Sequence, residues 1–194
     1  AWLKYYYPLE FYVAIFNQQP MGFYNLETLK EDAKRHRIRV LNPDLNTSLS
    51  KSKPLNNDLL LGFLNIRSIG HGVSEMIVNQ RLQHGVFHSV ADFIERIDIS
   101  RVNLHNLVSA GVFDSFKASR RDTLWKASLY LKRKEQGKQS LALELPQDAV
   151  NLPIQSSWDS MLNEYGAMGM HPDGHVIEYL RGYMKKTQDL TNSI

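Results

Sequence analysis

The stretch Ile66-Arg67-Ser68-Ile69-Gly70-His71-Gly72-Val73-Ser74-Glu75-Met76-Ile77 sets the expectations for the rest of this chain. An apolar run that includes Leu60, Leu61 and Leu64 precedes it and predicts a short helix. Small or apolar residues at helical spacing follow it and predict a second helix. The two glycines between these runs favour a tight hairpin, because glycine adopts positive φ without steric cost.

A hairpin of this kind leaves backbone N–H groups at the start of the second helix without intrahelical partners. Those groups and the helix dipole favour an anion, and a nucleic-acid phosphate is the obvious candidate. The predicted contacts in this hairpin are Arg67, Ser68, Gly70, His71 and Gly72. The stretch is equally compatible with a plain pair of helices whose glycines only close a short loop.

A second unit of the same kind follows along the chain. Leu104, Leu107 and Val108 have the spacing of an apolar helical stripe, and Gly111 begins a turn that ends in a new helix near Ser119. Cations close to such a turn favour phosphate contact, although a charge run is more often a solvated helix face. The predicted contacts in this second unit are Gly111, Val112, Arg120 and Arg121.

Charge is distributed unevenly over the 194 residues, although the net charge is only +3. Residues 60–138 hold 12 Lys and Arg against 7 Asp and Glu, and residues 139–194 hold 3 against 7. A basic middle before an acidic tail indicates a polyanionic partner for the middle alone. The composition, with 43% hydrophobic and 22% charged residues, is that of an ordinary globular protein.

The sequence lacks the residues that several kinds of site chemistry require. The chain has no cysteine, which excludes disulfides and thiolate metal sites, and it has no apolar run of membrane-spanning length. His171 and His175 have metal-ligand spacing, but Pro172 and Gly174 between them favour a loop and a structural role. We therefore predict no catalytic residue and no metal site. The chain opens on Ala-Trp-Leu-Lys without an initiator Met, and we expect it to be part of a longer protein.

Further motifs resemble a known family. Ile38-Arg39-Val40-Leu41-Asn42-Pro43-Asp44-Leu45-Asn46-Thr47-Ser48 is similar to the signature Gly-Ile-x-Val-Leu-Pro-Pro-Asp-Val-Asn-x-Ser of the DNA polymerase III alpha subunits, the bacterial replicative polymerases of family C. Tyr7-Pro8-Leu9-Glu10-Phe11 resembles another motif of that family, and Pro20-Met21-Gly22-Phe23-Tyr24 resembles its error-prone branch. Both hairpins match as well, with Ser68 in place of the first hairpin's first glycine.

The resemblance implies a mainly α-helical fold around a tandem helix-hairpin-helix domain that grips duplex DNA independently of sequence. It implies a parent polymerase acting in replication and lesion repair, with Mg²⁺ in an active site outside this chain, located in the bacterial cytoplasm at the nucleoid. This chain alone is then expected to have no activity. A monovalent cation at a hairpin is also compatible with the family.

An alternative function is a protein-interaction module. Gln139, Leu141 and Leu143 lie where the alpha subunits carry a short peptide that docks on the sliding clamp, although an ordinary linker explains the same residues. The acidic C-terminal part is a second candidate surface, for another repair subunit.

The predicted organisation has six parts. Residues 1–48 end a fingers-type region that includes a short strand at 38–41, and residues 49–58 form a linker or a hairpin loop. The tandem hairpins occupy 59–118 and a basic helix 119–138. A second linker at 139–157 precedes a helical segment at 158–194.

Overall fold

The computed structural model describes residues 2–22, 24–137 and 155–181, and these ranges are mainly helical, as predicted. In these ranges three helices precede a small sheet, and five complete helices and a helical stretch at 176–181 follow it. Single 3₁₀ turns at Phe63–Asn65 and Asp114–Phe116 lie within the two hairpins. The elements are α1 Trp2–Tyr6, α2 Pro8–Phe16, α3 Leu26–Arg35, β1 Val40–Leu41, β2 Lys53–Leu55, β3 Asp58–Leu60, α4 His71–His84, α5 Val90–Arg96, α6 Arg101–Ser109, α7 Arg120–Glu135 and α8 Ser157–Met168.

The sheet occupies part of the segment that we predicted to be a linker. Residues 49–58 contain β2 and the start of β3, which form an antiparallel hairpin, and β1 adds to β3 in parallel with Val40 opposite Leu59. Asn56 closes the hairpin at φ +55, a conformation that asparagine tolerates better than most residues. The polar composition of this segment concealed two strands, because the outer strand, β2, faces solvent.

Serine and asparagine side chains start most of the helices. Asn25 and Ser89 accept hydrogen bonds from the third helical residue, and so do Ser100, Ser119 and Ser156. Such a cap satisfies one of the donors that a helix leaves unpaired. Helix α4 differs, because its N-cap is Gly70, which has no side chain to offer.

A single hydrophobic core underlies both hairpins and the N-terminal helices. Phe16 of α2, Leu59 of β3, Phe93 of α5 and Phe113 of the second hairpin all belong to one buried cluster. The predicted fingers-type segment and the predicted hairpin segment therefore share their apolar interior. The aromatic residues of α1 lie outside that core, with Trp2 65% and Tyr5 79% exposed.

The C-terminal described segment is fastened to α3 by a buried lysine. Lys30 is almost fully buried, and its ammonium donates to the carbonyls of His171 at 2.9 Å and Gly174 at 2.5 Å. Glu27, at 2.7 Å, and Glu31, at 2.9 Å, balance its charge. A buried lysine is stable only when paired in this way, so the contact sets where the chain after α8 can lie.

Gly62 permits the closest backbone approach in the fold. A Cβ at this position would lie 2.3 Å from the carbonyl carbon of Lys51 and 2.5 Å from the carbonyl oxygen of Ser50. Gly62→Ala is therefore expected to lower the free energy of unfolding by about 1–3 kcal/mol, because backbone must move to admit the methyl group. Urea unfolding monitored by circular dichroism would measure the change.

Gly166→Ala is the matched control for this prediction. Gly166 lies inside α8, and a Cβ there meets no atom within 4 Å. This substitution is expected to raise stability by up to about 1 kcal/mol, because alanine restricts the unfolded chain and favours a helix. Equal effects of the two substitutions would show that the contact at Gly62 is not tight.

Candidate nucleic-acid interface

The first hairpin makes its tight turn with a serine. Ser68 has φ +65°, so it occupies the left-handed conformation that we expected of a glycine. Gly70 instead has φ −89° and ψ 180°, which is extended backbone that any residue adopts. The predicted short helix before the turn is a single 3₁₀ turn, Phe63–Asn65, because Leu60 belongs to β3. The turn thus forms despite the replaced glycine.

Neighbouring elements stabilise this strained turn. The N–H of Arg67 donates to the carbonyl of Ala167 in α8 at 2.8 Å. The side-chain amide of Asn106, in α6, donates to the carbonyl of Arg67 at 3.0 Å and to the hydroxyl of Ser68 at 2.8 Å. We did not predict a role for Asn106. Its sequence signal is only a polar residue within an apolar helical pattern.

The start of α4 is open to solvent. Its first hydrogen bond runs from the N–H of Ser74 to the carbonyl of Gly70 at 3.0 Å, so the N–H groups of the three residues between them precede the helical ladder. All five predicted contacts of this hairpin are exposed, namely Arg67, Ser68, Gly70, His71 and Gly72. The apolar partners Ile69 and Ile77 are buried and hold the turn on the core. The hairpin therefore presents N–H donors and two basic side chains on one surface.

The second hairpin faces the interior. Gly111 and Val112 are buried, although both are predicted DNA contacts. Gly111 has φ +83° and donates to the carbonyl of Val108 at 3.0 Å, while the carbonyl of Val112 accepts from Leu45 at 2.9 Å. These backbone groups are already used within the fold. The predicted DNA contacts at Gly111 and Val112 therefore lie away from the surface.

Arg120 is held in an internal ion-pair network. Its guanidinium is 14% exposed and lies 2.6 Å from carboxylate oxygens of both Asp114 and Glu164. It also fills the space beside Gly111, where a Cβ would lie 2.4 Å from its Nη2 atom. We therefore assign Arg120 a structural role in this conformation. Arg121 is 39% exposed and lies 4.0 Å from Asp159 of α8.

Glu164 is the centre of that network. Its carboxylate accepts from Asn42 at 2.9 Å and lies 2.5 Å from Nδ1 of His171. Burial alone would raise the pKa of Glu164, but the hydrogen bond from His171 and the charge of Arg120 lower that pKa below its ordinary value. The network joins α7, α8 and the chain after α8, and it explains why His171 is structural.

Most of the basic helix predicted at 119–138 corresponds to α7, but one of its cations is used internally. Lys134 donates to the carbonyls of Ile94 at 2.7 Å and Ile97 at 3.0 Å, so it closes the end of α5. Lys126 and Lys132 are exposed. A charge run in sequence therefore contains both internal and surface cations.

Some predictions fall on parts that the structure leaves undescribed. Gln139, Leu141 and Leu143 lie outside the described residues, so clamp docking stays a prediction. Among the residues described, no group of three or more acidic or histidine side chains could hold a metal ion. In the same ranges, no helix has the length and apolarity needed to span a bilayer.

Comparison with known proteins supplies an independent finding. Residues 37–123 match the family model described as the helix-hairpin-helix motif. The chain is 32% identical over 199 residues to the error-prone DNA polymerase of Nocardia farcinica and 34% identical over 193 residues to that of an Anaeromyxobacter species. These alignments cover 95% and 93% of this chain. The chain spans 17% of the length of each relative.

Glu164→Gln is expected to lower the free energy of unfolding at neutral pH by about 1–3 kcal/mol, because it removes one of the two carboxylates that balance a buried arginine and weakens the hydrogen bond to His171. The pH dependence has a definite sign. The pKa of Glu164 lies below 4.5 in the folded protein, so its contribution is full above that pH and is lost as the pH falls through the lowered pKa.

Urea unfolding from neutral pH down to about pH 3 would therefore show a shallower loss of stability for E164Q than for the wild type. Glu95→Gln, at an exposed position of α5, is the control and should follow the wild-type curve. Identical acid profiles for E164Q and the wild type would contradict the assignment.

Asn106→Ala is expected to loosen the first hairpin, because it removes two hydrogen bonds to the turn. The stability cost is about 1–2 kcal/mol, and the amide of Ile69, which donates within the turn at 3.2 Å, should exchange with solvent faster. Hydrogen exchange measured by NMR would report both the loss of stability and the exchange rate of the Ile69 amide. Asn79→Ala, at an exposed position of α4, should leave the Ile69 amide unchanged. An unchanged Ile69 amide in both variants would show that Asn106 does not hold the turn.

Proposed function

Because this chain belongs by homology to the error-prone DNA polymerases, we propose that its first hairpin binds the phosphate backbone of duplex DNA independently of sequence. The observation that carries the proposal is the open start of α4. There the backbone N–H groups after Gly70 have no side-chain cap, Gly70 and Gly72 are exposed, and the exposed side chains of Arg67 and His71 flank them. N–H groups at a helix start suit a phosphate, which carries no sequence information.

The proposed grip uses one hairpin as the contact and the other as its support. The second hairpin's turn is buried, yet Asn106 of its first helix bonds to the turn of the first hairpin. This arrangement predicts few phosphate contacts and weak binding. Two phosphate contacts correspond to about a tenfold loss of affinity between about 50 and 200 mM salt, far less than the loss for six to ten contacts.

The polymerase reaction itself is not proposed for this segment. The sequence contains no Asp-x-Asp pair of the kind that holds two Mg²⁺ ions. We propose that a parent of the DNA polymerase III alpha type carries nucleotidyl transfer elsewhere, in replication or lesion repair. In that parent, this segment would hold duplex DNA relative to the site of synthesis.

Gly70→Val is the direct test of the hairpin. A side chain fits sterically, because Gly70 has extended backbone and a Cβ there meets no atom within 4 Å, but the side chain would lie at the approach to the N–H groups. The affinity for a random duplex at low salt is expected to fall about tenfold, the scale of hydrogen bonds to a charged group. Fluorescence anisotropy would measure the affinity, and circular dichroism would confirm folding.

Ser128→Val, which adds the same kind of bulk at an exposed position of α7, should leave the affinity unchanged. Gly111→Val is not an equivalent test, since its side chain would collide with Arg120. A folded G70V variant with wild-type affinity would show that the hairpin only connects its helices. A wild-type protein that binds no duplex at low salt would refute the function.

A further inference from the structure

A groove of about 720 Å³ lies directly beside the first hairpin. It runs between the end of α2, the segment before β2, the hairpin itself and the end of α8. We call it the hairpin groove. Its lining includes Gln19, Lys51, Leu64, Arg67, His71 and Met168. Because Arg67 and His71 also flank the open start of α4, the groove and the hairpin form one continuous surface.

Charge distinguishes the hairpin groove from two other concave surfaces in the described part of the chain. Three basic side chains line it, and none of its described lining residues is acidic. By contrast, a cavity of about 380 Å³ beside α8 and a cleft of about 360 Å³ beside α2 carry charges of both signs, from Asp114 and Arg120 in the first and from Glu10 and Arg37 in the second. A groove with only positive charge at its edge favours an anionic ligand.

The position of Lys51 is determined by the fold. The backbone of Lys51 packs against Gly62 so closely that a Cβ would not fit between them. The adjacent Ser52 is fixed by Asn17, whose side chain accepts from the Ser52 N–H at 2.7 Å and donates to its carbonyl at 2.9 Å. The Lys51 side chain is exposed. The fold thus holds this lysine at the groove edge, on a segment that we had predicted to be a linker.

The groove also has apolar lining and one buried donor without a partner. Half-buried Leu64 supplies the accessible apolar wall, whereas Met168 lines the groove but is only 2% exposed. The Oε1 atom of Gln19 accepts from the N–H of Met21 at 3.0 Å, while its buried Nε2 atom has no partner within the described part of the chain. An apolar wall, an amide and flanking cations match a nucleotide, which has a flat base with polar edges and a charged phosphate.

We propose that the hairpin groove binds a nucleotide of an unpaired DNA strand that continues from the duplex held at the hairpin. Lys51 and Arg67 hold the phosphate, the base lies against Leu64, and Gln19 donates to the base edge. A volume of about 720 Å³ is that of a site for a ligand the size of one nucleotide. The proposal deepens the proposed duplex binding and rests on it for the position of the strand.

The test compares three fluorescent ligands at low salt: a blunt duplex, the same duplex with a three-nucleotide single-stranded extension at either end, and the single strand alone. For the wild type, an extension of the correct polarity should tighten binding about fivefold, the scale of one added hydrogen bond. Lys51→Ala should abolish this gain and leave the blunt-duplex affinity within about twofold. Gln19→Ala should reduce the gain.

Lys132→Ala is the charge-matched control, at an exposed position of α7, and should retain the gain from the extension. Equal binding of blunt and extended duplexes by the wild type would overturn the groove proposal while leaving duplex binding intact. An equal loss of affinity for all three ligands in K51A would also overturn the groove proposal, because it would indicate a general charge effect. If the single strand binds and the blunt duplex does not, the proposed function is refuted. Loss of that single-strand binding in K51A would then support the groove. Binding of no ligand would refute both.

Discussion

One loop, residues 42–48, holds the separate parts of this fold together. Its carbonyls at Leu45 and Ser48 accept from the two terminal nitrogens of Arg81 in α4, at 2.7 and 2.6 Å. Asn46 exchanges two hydrogen bonds with the backbone of Phe87, and Leu45 donates to the second hairpin. Because a buried polar group without its partner is costly, these bonds determine how both hairpins sit on the core.

The same loop is also bonded to α8, because the side chain of Asn42 donates a hydrogen bond to Glu164. Within the loop, the hydroxyl of Ser48 accepts from Asp44 and donates to the carbonyl of Leu61, so the loop is also tied to the chain that follows β3. A binding role would require exposed groups that are free to form hydrogen bonds. The groups of the loop named here form their hydrogen bonds within the fold. The most recognisable motif of the chain therefore serves packing, and the candidate function lies in the less regular hairpin.

The two hairpins have the same left-handed turn position and use it differently. In the first, Ser68 adopts positive φ on the surface and is held by Asn106. In the second, Gly111 adopts it in the interior, where Arg120 occupies the space that a side chain would need. A repeated sequence pattern thus yields one exposed turn and one structural turn. The pseudo-repeat predicts the shape of the backbone, but the neighbours of each turn decide which one can meet a ligand.

The amino-acid sequence by itself determined the local structure. Apolar spacing predicted the helix after the first hairpin and the helices on either side of the second, because this signal depends on neighbours within a few residues. The helix predicted before the first hairpin is a single 3₁₀ turn. The sequence also located the turn at 66–72. Only the tertiary structure decided that β2 and β3 replace a linker, that Arg120 is internal, and that Lys51 lies beside the hairpin. These outcomes depend on contacts between residues that are distant in the chain. Whether a cation forms an internal ion pair or faces solvent depends on its burial, and no local sequence pattern records burial.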